Sequence, residues 1–426
     1  MTPNDPRGPS QSGPATPGVA GKLGARVADA VVAGAELERR VLVVAPQPFY
    51  EDRGTPIAER QLLEALTYLG YQVDMLTYPV GRDLPIPGVR YYRVANILGV
   101  RAVPIGFSLR KVWLDLFLGY SLLRILRRSD YFCIHAVEEA AFLAVLATRR
   151  RQTPVIYDMQ SSIPEQLAGH WLLGRRPFHA FLRAAERWLI GRVDSVVSSA
   201  GLRGHVLAIA PGKKVREWRY PSQTLAAMPG AAEQLRAELG IEPDAKIILY
   251  TGNFEDYQGL TPLIEAIPSV LARVPEAVFV LVGADGPNRL SIAQALATHS
   301  PKRAHRILDR QPRERMPSFL RLADVVVSPR THGSNLPLKA LEYLAAGCAI
   351  VATAIPAHRS VLNEQRAVLV EPQPEALASA ISGLLTNPQR AGQLRAAALE
   401  YAQQNLNWIG FVDSISEIYE QLRLHE

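Results

Sequence analysis

The sequence predicts an α/β protein built as two doubly wound parallel lobes facing a cleft, and three observations predict it. Short apolar runs alternate with stretches of helical periodicity, the rhythm of parallel strands buried on both faces. That rhythm begins at residue 41 and begins again near residue 246. With 48% hydrophobic residues, a chain of 426 can fill two cores of ordinary domain size.

In the first lobe, "VLVVA" (41–45) is a buried strand. After a loop, apolar positions recur at helical spacing from Ile57 to Leu69, and Gly70 stops the helix. "QVDMLTY", "YFCIHA", "PVIYD" and "SVVSSA" continue the series. In the second lobe "KIILYTG", "AVFVLVG", "RILD", "VVVSP" and "AIVAT" are further short strands separated by helical stretches. The join falls in the Pro-, Ser- and Ala-containing piece around 219–232. Sheets of this kind bind ligands outside the carboxyl ends of their strands. The loops opening at Gln47, His135, Gly252, Gly283, Arg330 and Thr353 are therefore expected to share one cleft.

Composition narrows the function. Residues 1–38 are rich in Pro, Gly, Ser and small residues and are predicted to be a disordered tail. They lack the apolar core of a secretory signal, and no uncharged run is long enough to span a bilayer, so a cytoplasmic protein is expected. Cys133 and Cys348 sit in apolar runs without a partner at metal spacing, which predicts buried thiols and neither a disulfide nor a zinc site. The net charge of +7 favours an anionic partner. Because the charge is scattered and no aromatic-basic platform accompanies it, nucleic acid is not expected.

The stretch "SPRTHGSNLPLKALEYLAAGCAIVAT" (328–353) carries the clearest site signal. Asn335 and Pro337 mark the start of a short helix and Gly347 its stop, which puts Lys339 in the first turn. A cation there opposes the helix dipole unless an anion lies just outside. Glu342 follows one turn later, either as part of a site or as an intrahelical partner of Lys339. In the first lobe, Arg53, Gly54 and Thr55 precede a helix expected at about Pro56; they form either a phosphate seat or an ordinary capped entry. In the second, Gly252 follows a strand and Gly259 opens a helix in "TGNFEDYQGL".

The strand series, the "GNFEDYQG" loop, "LVGADGP" and above all "NLPLKALEYLAAGCAIVAT" resemble the family 4 nucleotide-sugar glycosyltransferases of the GT-B fold. The resemblance runs from about residue 40 to the C-terminus and is most specific in the second lobe. It implies a tail at 1–38, an acceptor-side Rossmann-like domain at 39–220, a nucleotide-sugar-binding Rossmann-like domain at 221–408 and a C-terminal helix, 409–426, crossing back to the first domain. It also implies a retaining transfer from a nucleoside-diphosphate sugar, UDP- or GDP-linked, to an acceptor hydroxyl, with no metal and no other cofactor. Helix N-termini and basic side chains would neutralise the leaving diphosphate. Lys339 and Arg330 take that role here, and Glu342 matches the family glutamate on the donor ribose, a carboxylate suited to two adjacent hydroxyls. Gly252, Asn253, Gly283, Ser334, Asn335 and Leu338 complete the implied donor side, with Arg53, Gly54 and Thr55 across the cleft.

Departures from the family pattern are as informative. A second family glutamate is replaced by Ser334, and the arginine and lysine of the second-lobe glycine loop are replaced by Asn253 and Gln258, so positive charge must come from Arg330, Lys339 and Arg53. The glycine pair after the "VAT" strand gives way to "AIPAHRSV". Of a family histidine pair only His135 remains, with Val137 at the second place. His135 is either a site residue or a core histidine. Glu138 and Glu139 follow; either could act as a base toward the acceptor, or both could simply stabilise a helix start. Asp158, Gln160, Ser161 and Ser162 fall on the acceptor side or cap the next helix.

Residues 109–128, "LRKVWLDLFLGYSLLRILRR", have an apolar centre interrupted by Asp115 and Gly119. The centre is expected to be core, while the basic ends, with "RRPFHAFLRAAERWLIGR", make an anionic membrane surface a candidate partner at the inner face. The competing functional reading is a catalytically inactive GT-B-like partner or nucleotide-sensing subunit, motivated by the substituted family residues.

Overall fold

The computed structural model describes residues 40–51, 54–97, 99–103, 108–167, 175–198, 200–222, 228–283, 288–333 and 336–423. The tail at 1–38, Arg53, Ser334 and Asn335 lie outside the described residues.

The first lobe runs β1 (Arg40–Ala45), α1 (Gly54–Tyr68), β2 (Gln72–Thr77), β3 (Val89–Arg93), α2 (Leu109–Leu126), β4 (Cys133–Val137), α3 (Ala140–Thr148) and β5 (Val155–Met159). It continues with α4 (Ile163–Leu167), α5 (Arg176–Arg192), β6 (Ser195–Ser198), α6 (Ala200–Ile209) and β7 (Val215–Glu217). Its strands form one parallel sheet in the order β3-β2-β1-β4-β5-β6-β7.

The second lobe begins with α7 (Ala231–Glu238), β8 (Lys246–Thr251), α8 (Leu260–Glu265), α9 (Ile267–Arg273), β9 (Ala277–Val282), α10 (Asn288–His299) and β10 (His305–Leu308). It ends with α11 (Met316–Leu322), β11 (Val325–Ser328), α12 (Leu338–Ala345), β12 (Ile350–Thr353), α13 (Pro356–Arg359), β13 (Val368–Val370), α14 (Pro374–Thr386) and α15 (Pro388–Asn405). Its parallel sheet has the order β10-β9-β8-β11-β12-β13.

Most strands are apolar end to end because helices cover both sheet faces; β1, β8 and β9 are buried almost throughout. Three strands escaped the sequence pattern, namely β3 ("VRYYR"), β7 ("VRE") and β13 ("VLV"). All three are sheet edges, where short or half-exposed strands carry little apolar signal. Helix α1 starts at Gly54, two residues before the expected Pro56; a proline in the first turn forfeits no intrahelical bond. Cys133 and Cys348 are buried free thiols.

Helix α2 corrects an expectation. Its apolar centre is only partly core, because Leu114, Leu118, Leu122 and Leu126 alone are buried. Asp115 is accommodated by a hydrogen bond from Tyr78, and Gly119 lies against Leu143 of α3.

The final helix, α16 (Trp408–Arg423), leaves the second lobe and packs on α1 of the first. Tyr419 on α16 meets His135 Nδ1 on β4 at 2.9 Å. The rings of Trp218, Tyr220 and Phe411 stack beside them at 5.7–6.2 Å. The lobes also touch where α13 meets α6, so the carboxyl edges of the two sheets lie toward each other. Changing Tyr419 to Phe leaves a buried imidazole nitrogen without its hydrogen-bond partner. We expect a loss of about 1–3 kcal/mol in chemical denaturation, with turnover per folded molecule unchanged.

Candidate active site

The second lobe supplies a cluster of cations at the ends of β8, β11 and β12. Lys339 is the second residue of α12. One turn on, Tyr343 fixes the helix to β8, its hydroxyl 2.7 Å from Thr251 Oγ1 and accepting from Thr251 N at 3.2 Å. This aims Lys339 inward. Its ammonium donates to Gln258 Oε1 at 2.7 Å and to the Thr251 carbonyl at 3.2 Å, and lies 4.3 Å from the centre of the Tyr250 ring. All of these partners are neutral. Burial, and secondarily the charge of Arg330, push the Lys339 pKa down to about 7.

Two glycines allow the close packing here. A Cβ on Gly283 would stand 2.2 Å from the Gly252 carbonyl oxygen, and one on Gly252 would stand 3.1 Å from Lys339 Nζ, with φ at +117° and +134°. Arg330 is 7% exposed. Its Nε donates to the His332 carbonyl at 2.8 Å and its guanidinium lies 5.0 Å from the Tyr257 ring. Behind both cations His358 is fully buried, its Nε2 2.8 Å from Ser328 Oγ and its Nδ1 2.8 Å from the Thr353 carbonyl. Burial first, then the neighbouring Lys339 and Arg330, lower its pKa to about 4. It is a neutral strut under a positive site.

Glu342 does not pair with Lys339. The two side chains diverge, and Glu342 instead faces Arg313 at 3.7 Å. Burial raises its pKa, with Arg313 opposing. Leu338 opens α12 behind Pro337. The Asn253 carbonyl accepts from Tyr250 at 2.6 Å, and its side-chain oxygen is buried without a partner. Gly54 and Thr55 form the first turn of α1.

On the first lobe the structure separates the acids that the sequence left equivalent. Glu139 pairs with Lys111 of α2. Glu138 has φ +50°, a conformation that only glycine adopts freely. One of its carboxylate oxygens accepts from Ser161 at 2.8 Å and the other is buried without a partner. Burial, then Glu139 and Asp158, hold its pKa well above the usual carboxyl range.

Three expected site residues lie in the packing instead. His135 is fully buried, with Tyr419 on one nitrogen and Asp158 at 3.4 Å from the other, so it cannot reach a substrate. Asp158 accepts from Trp218 at 3.0 Å and from Gln160 at 2.7 Å. Gln160 also donates to Tyr220 at 2.8 Å. These groups tie β4 and β5 to the inter-lobe seam. Ser162 donates to Glu186 at 3.0 Å, within a network that includes His205. Sequence reasoning missed Arg313, which follows a short strand in a loop not assigned to the cleft. It also missed the two tyrosines under the cations, although Tyr257 stands in the glycine loop that was singled out and Tyr250 immediately before it. Among the described residues no three of His, Cys, Asp or Glu converge as metal ligands.

Two parallel lobes with facing carboxyl edges, and a buried lysine with neutral partners at one of them, define the frame of a two-lobed glycosyltransferase. Residues 59–201 match the model Glycosyltransferase Family 4, and residues 231–405 match Glycosyl transferases group 1. The chain belongs to this glycosyltransferase family. It is 26% identical over 389 residues to a phosphatidyl-myo-inositol mannosyltransferase of Mycolicibacterium smegmatis, spanning 89% of this chain and 93% of that protein. Among solved structures it is similar to sucrose-phosphate synthase from Thermosynechococcus elongatus, with a TM-score of 0.76 at 21% identity over 91% of this chain and 100% of that one. It is also similar to Anabaena HepE in complex with UDP-glucose, with a TM-score of 0.69 at 15% identity over 90% and 99%.

The lowered pKa of Lys339 carries a sign. Its ammonium is charged below about pH 7 and increasingly neutral above it, so affinity for a nucleoside diphosphate should fall as pH rises from about 6 to about 9. Lys339→Arg keeps its charge throughout, and calorimetric titration of that variant should show the slope flattened.

Proposed function

We propose that the protein is a metal-independent, retaining glycosyltransferase. It takes a sugar from a UDP- or GDP-linked donor and delivers it to a hydroxyl of a lipid-borne polyol at an anionic membrane surface. The observation that carries this reading is the Lys339 ammonium, desolvated at a strand edge with neutral partners only. A cation in that state has a use when a diphosphate arrives between it and Arg330. The two charges then favour the departing diphosphate over the intact donor, which is differential stabilisation of the transition state.

The remaining groups take roles around that centre. Glu342 accepts from the donor ribose, drawing away from Arg313. Glu138, with its raised pKa and a carboxylate oxygen that no group among the described residues engages, receives the acceptor hydroxyl and its proton. Similarity to a phosphatidyl-myo-inositol mannosyltransferase supports a lipid-borne polyol as acceptor. Exposed Phe178 and Phe181 among the arginines of α5 support a membrane-facing side. The substitutions at Asn253 and Gln258 favour the inactive-subunit alternative only while Lys339 is left out of account.

A thermal-shift screen against free nucleoside diphosphates should single out one base, since a ligand of the folded state raises the melting temperature; no shift with either UDP or GDP would count against the reading. With the matching donor, Lys339→Ala and Glu342→Ala should each lower kcat/KM by about 10²–10³. Glu138→Gln should lower kcat by about 10²–10⁴ with the nucleotide-induced shift intact. Retention of full activity by all three would refute the site.

A further inference from the structure

Helix α2 carries two apolar stripes where a surface helix needs one. Leu114, Leu118, Leu122 and Leu126 are buried against the first sheet. At about 3.6 residues per turn, Trp113, Leu116, Tyr120 and Leu123 fall on the opposite side. There Trp113 is 57%, Leu116 58% and Tyr120 65% exposed. Such a stripe on the surface marks an interaction site.

The second stripe borders a groove of about 860 Å³ between α2 and the edge strand β3, with Leu76 and Tyr131 among its lining residues. The flank of α2 that faces the groove carries Phe117, Ser121 and Arg124, and Arg128 follows just past the end of the helix. Both arginines are exposed. The acid next to them in sequence, Asp130, is engaged by Arg151 at 3.2 Å. Arg93, also in the lining, is committed to Asp83 and to the carbonyls of Phe49, Tyr78 and Val80.

We propose that this groove binds one acyl chain of an anionic phospholipid, with the lipid phosphate on Arg124 and Arg128 and the chain running along α2 toward Trp113. The proposal rests on the membrane-facing reading above and makes it specific. The charge and shape select this occupant. Apolar lining with cations gathered at one end complements a long unbranched chain ending in a single negative group. From Trp113 to the end of α2 the groove follows about 20 Å of helix, and its volume lies within the range of single-ligand sites, about 300–1,000 Å³. The exposed Trp113 and Tyr120 beside it have the amphipathic rings that settle at the headgroup level of a bilayer.

The test uses the full chain and two probes, namely dihexanoyl-phosphatidylglycerol below its micelle concentration and vesicles of phosphatidylcholine with phosphatidylglycerol. Calorimetry should show saturable binding of the short-chain lipid at one per protein, with dihexanoyl-phosphatidylcholine at least about tenfold weaker. Ser121→Trp, which fills the groove, should abolish that binding yet leave co-sedimentation with vesicles in place. The surface pair Arg124→Ser with Arg128→Ser should weaken it by at least about tenfold and provides a second readout should the tryptophan variant misfold. Vesicle binding without saturable monomer binding overturns the groove and spares the membrane reading. Monomer binding that survives both variants overturns the groove as well. Failure with both probes overturns the two together.

Discussion

The interaction on which the site depends is the one Lys339 lacks. An ammonium taken out of water is costly unless an opposite charge compensates it, and here the compensation is partial: two oxygens and an aromatic face. The fold imposes this position rather than merely permitting it. Tyr343 locks α12 against β8, and the glycine contact between residues 252 and 283 lets the strand ends close on the lysine. Arg330 then adds a second positive charge, and the neutral His358 beneath them keeps its proton off. The energetic deficit sits at the carboxyl ends of β8 and β11, where an anion can make it good.

The same lysine explains a substitution pattern that looks like loss. Family members place a basic residue where this chain has Gln258, and Lys339 reaches that very side chain from 81 residues away. On the proposed reading, the charge has changed its carrier and kept its place. That Asn253 and Gln258 are neutral, and that Arg53, Arg330 and Lys339 are the cations that could stand in for the family's basic residues, was legible in the sequence. Which of them turns inward was not legible, since only the packing of α12 on β8 decides that Lys339 points inward and Glu342 away from it.

The rest of the molecule divides in the same manner. Strands buried on both faces announce themselves as apolar runs, and helices with a glycine stop announce their ends; both kinds were readable. Edge strands of three to five residues, with arginines among them, were not. Among candidate site residues, those whose role depends on one neighbour far along the chain stayed ambiguous. Glu138 and Glu139 are identical in type and adjacent in position. They part only because Lys111 of α2 takes the second and leaves the first, in a strained conformation, with a buried oxygen to spare. His135 read as a cleft residue because it ends a strand, yet the returning helix α16 covers it with Tyr419. A residue's nearness to a strand end is visible in sequence; what a helix nearly three hundred residues later lays over it is not.

Topology also accounts for the apolar surface on the far side of the first lobe. In a doubly wound sheet each helix is flanked by the helices of neighbouring strands. The order β3-β2-β1 ends at β3, so α2 has α3 on one side and no helix among the described residues on the other. A surface helix in that position would ordinarily turn polar toward the open side. Instead α2 places Trp113, Leu116 and Tyr120 there, with arginines rather than acids around them. Folding alone gives little return for those residues, because more than half of each side chain stays exposed. Their arrangement is accounted for when the open side of α2 is counted as an interface with something apolar and negatively charged. The edge of the sheet is then where the fold stops burying its own surface and leaves that to a lipid.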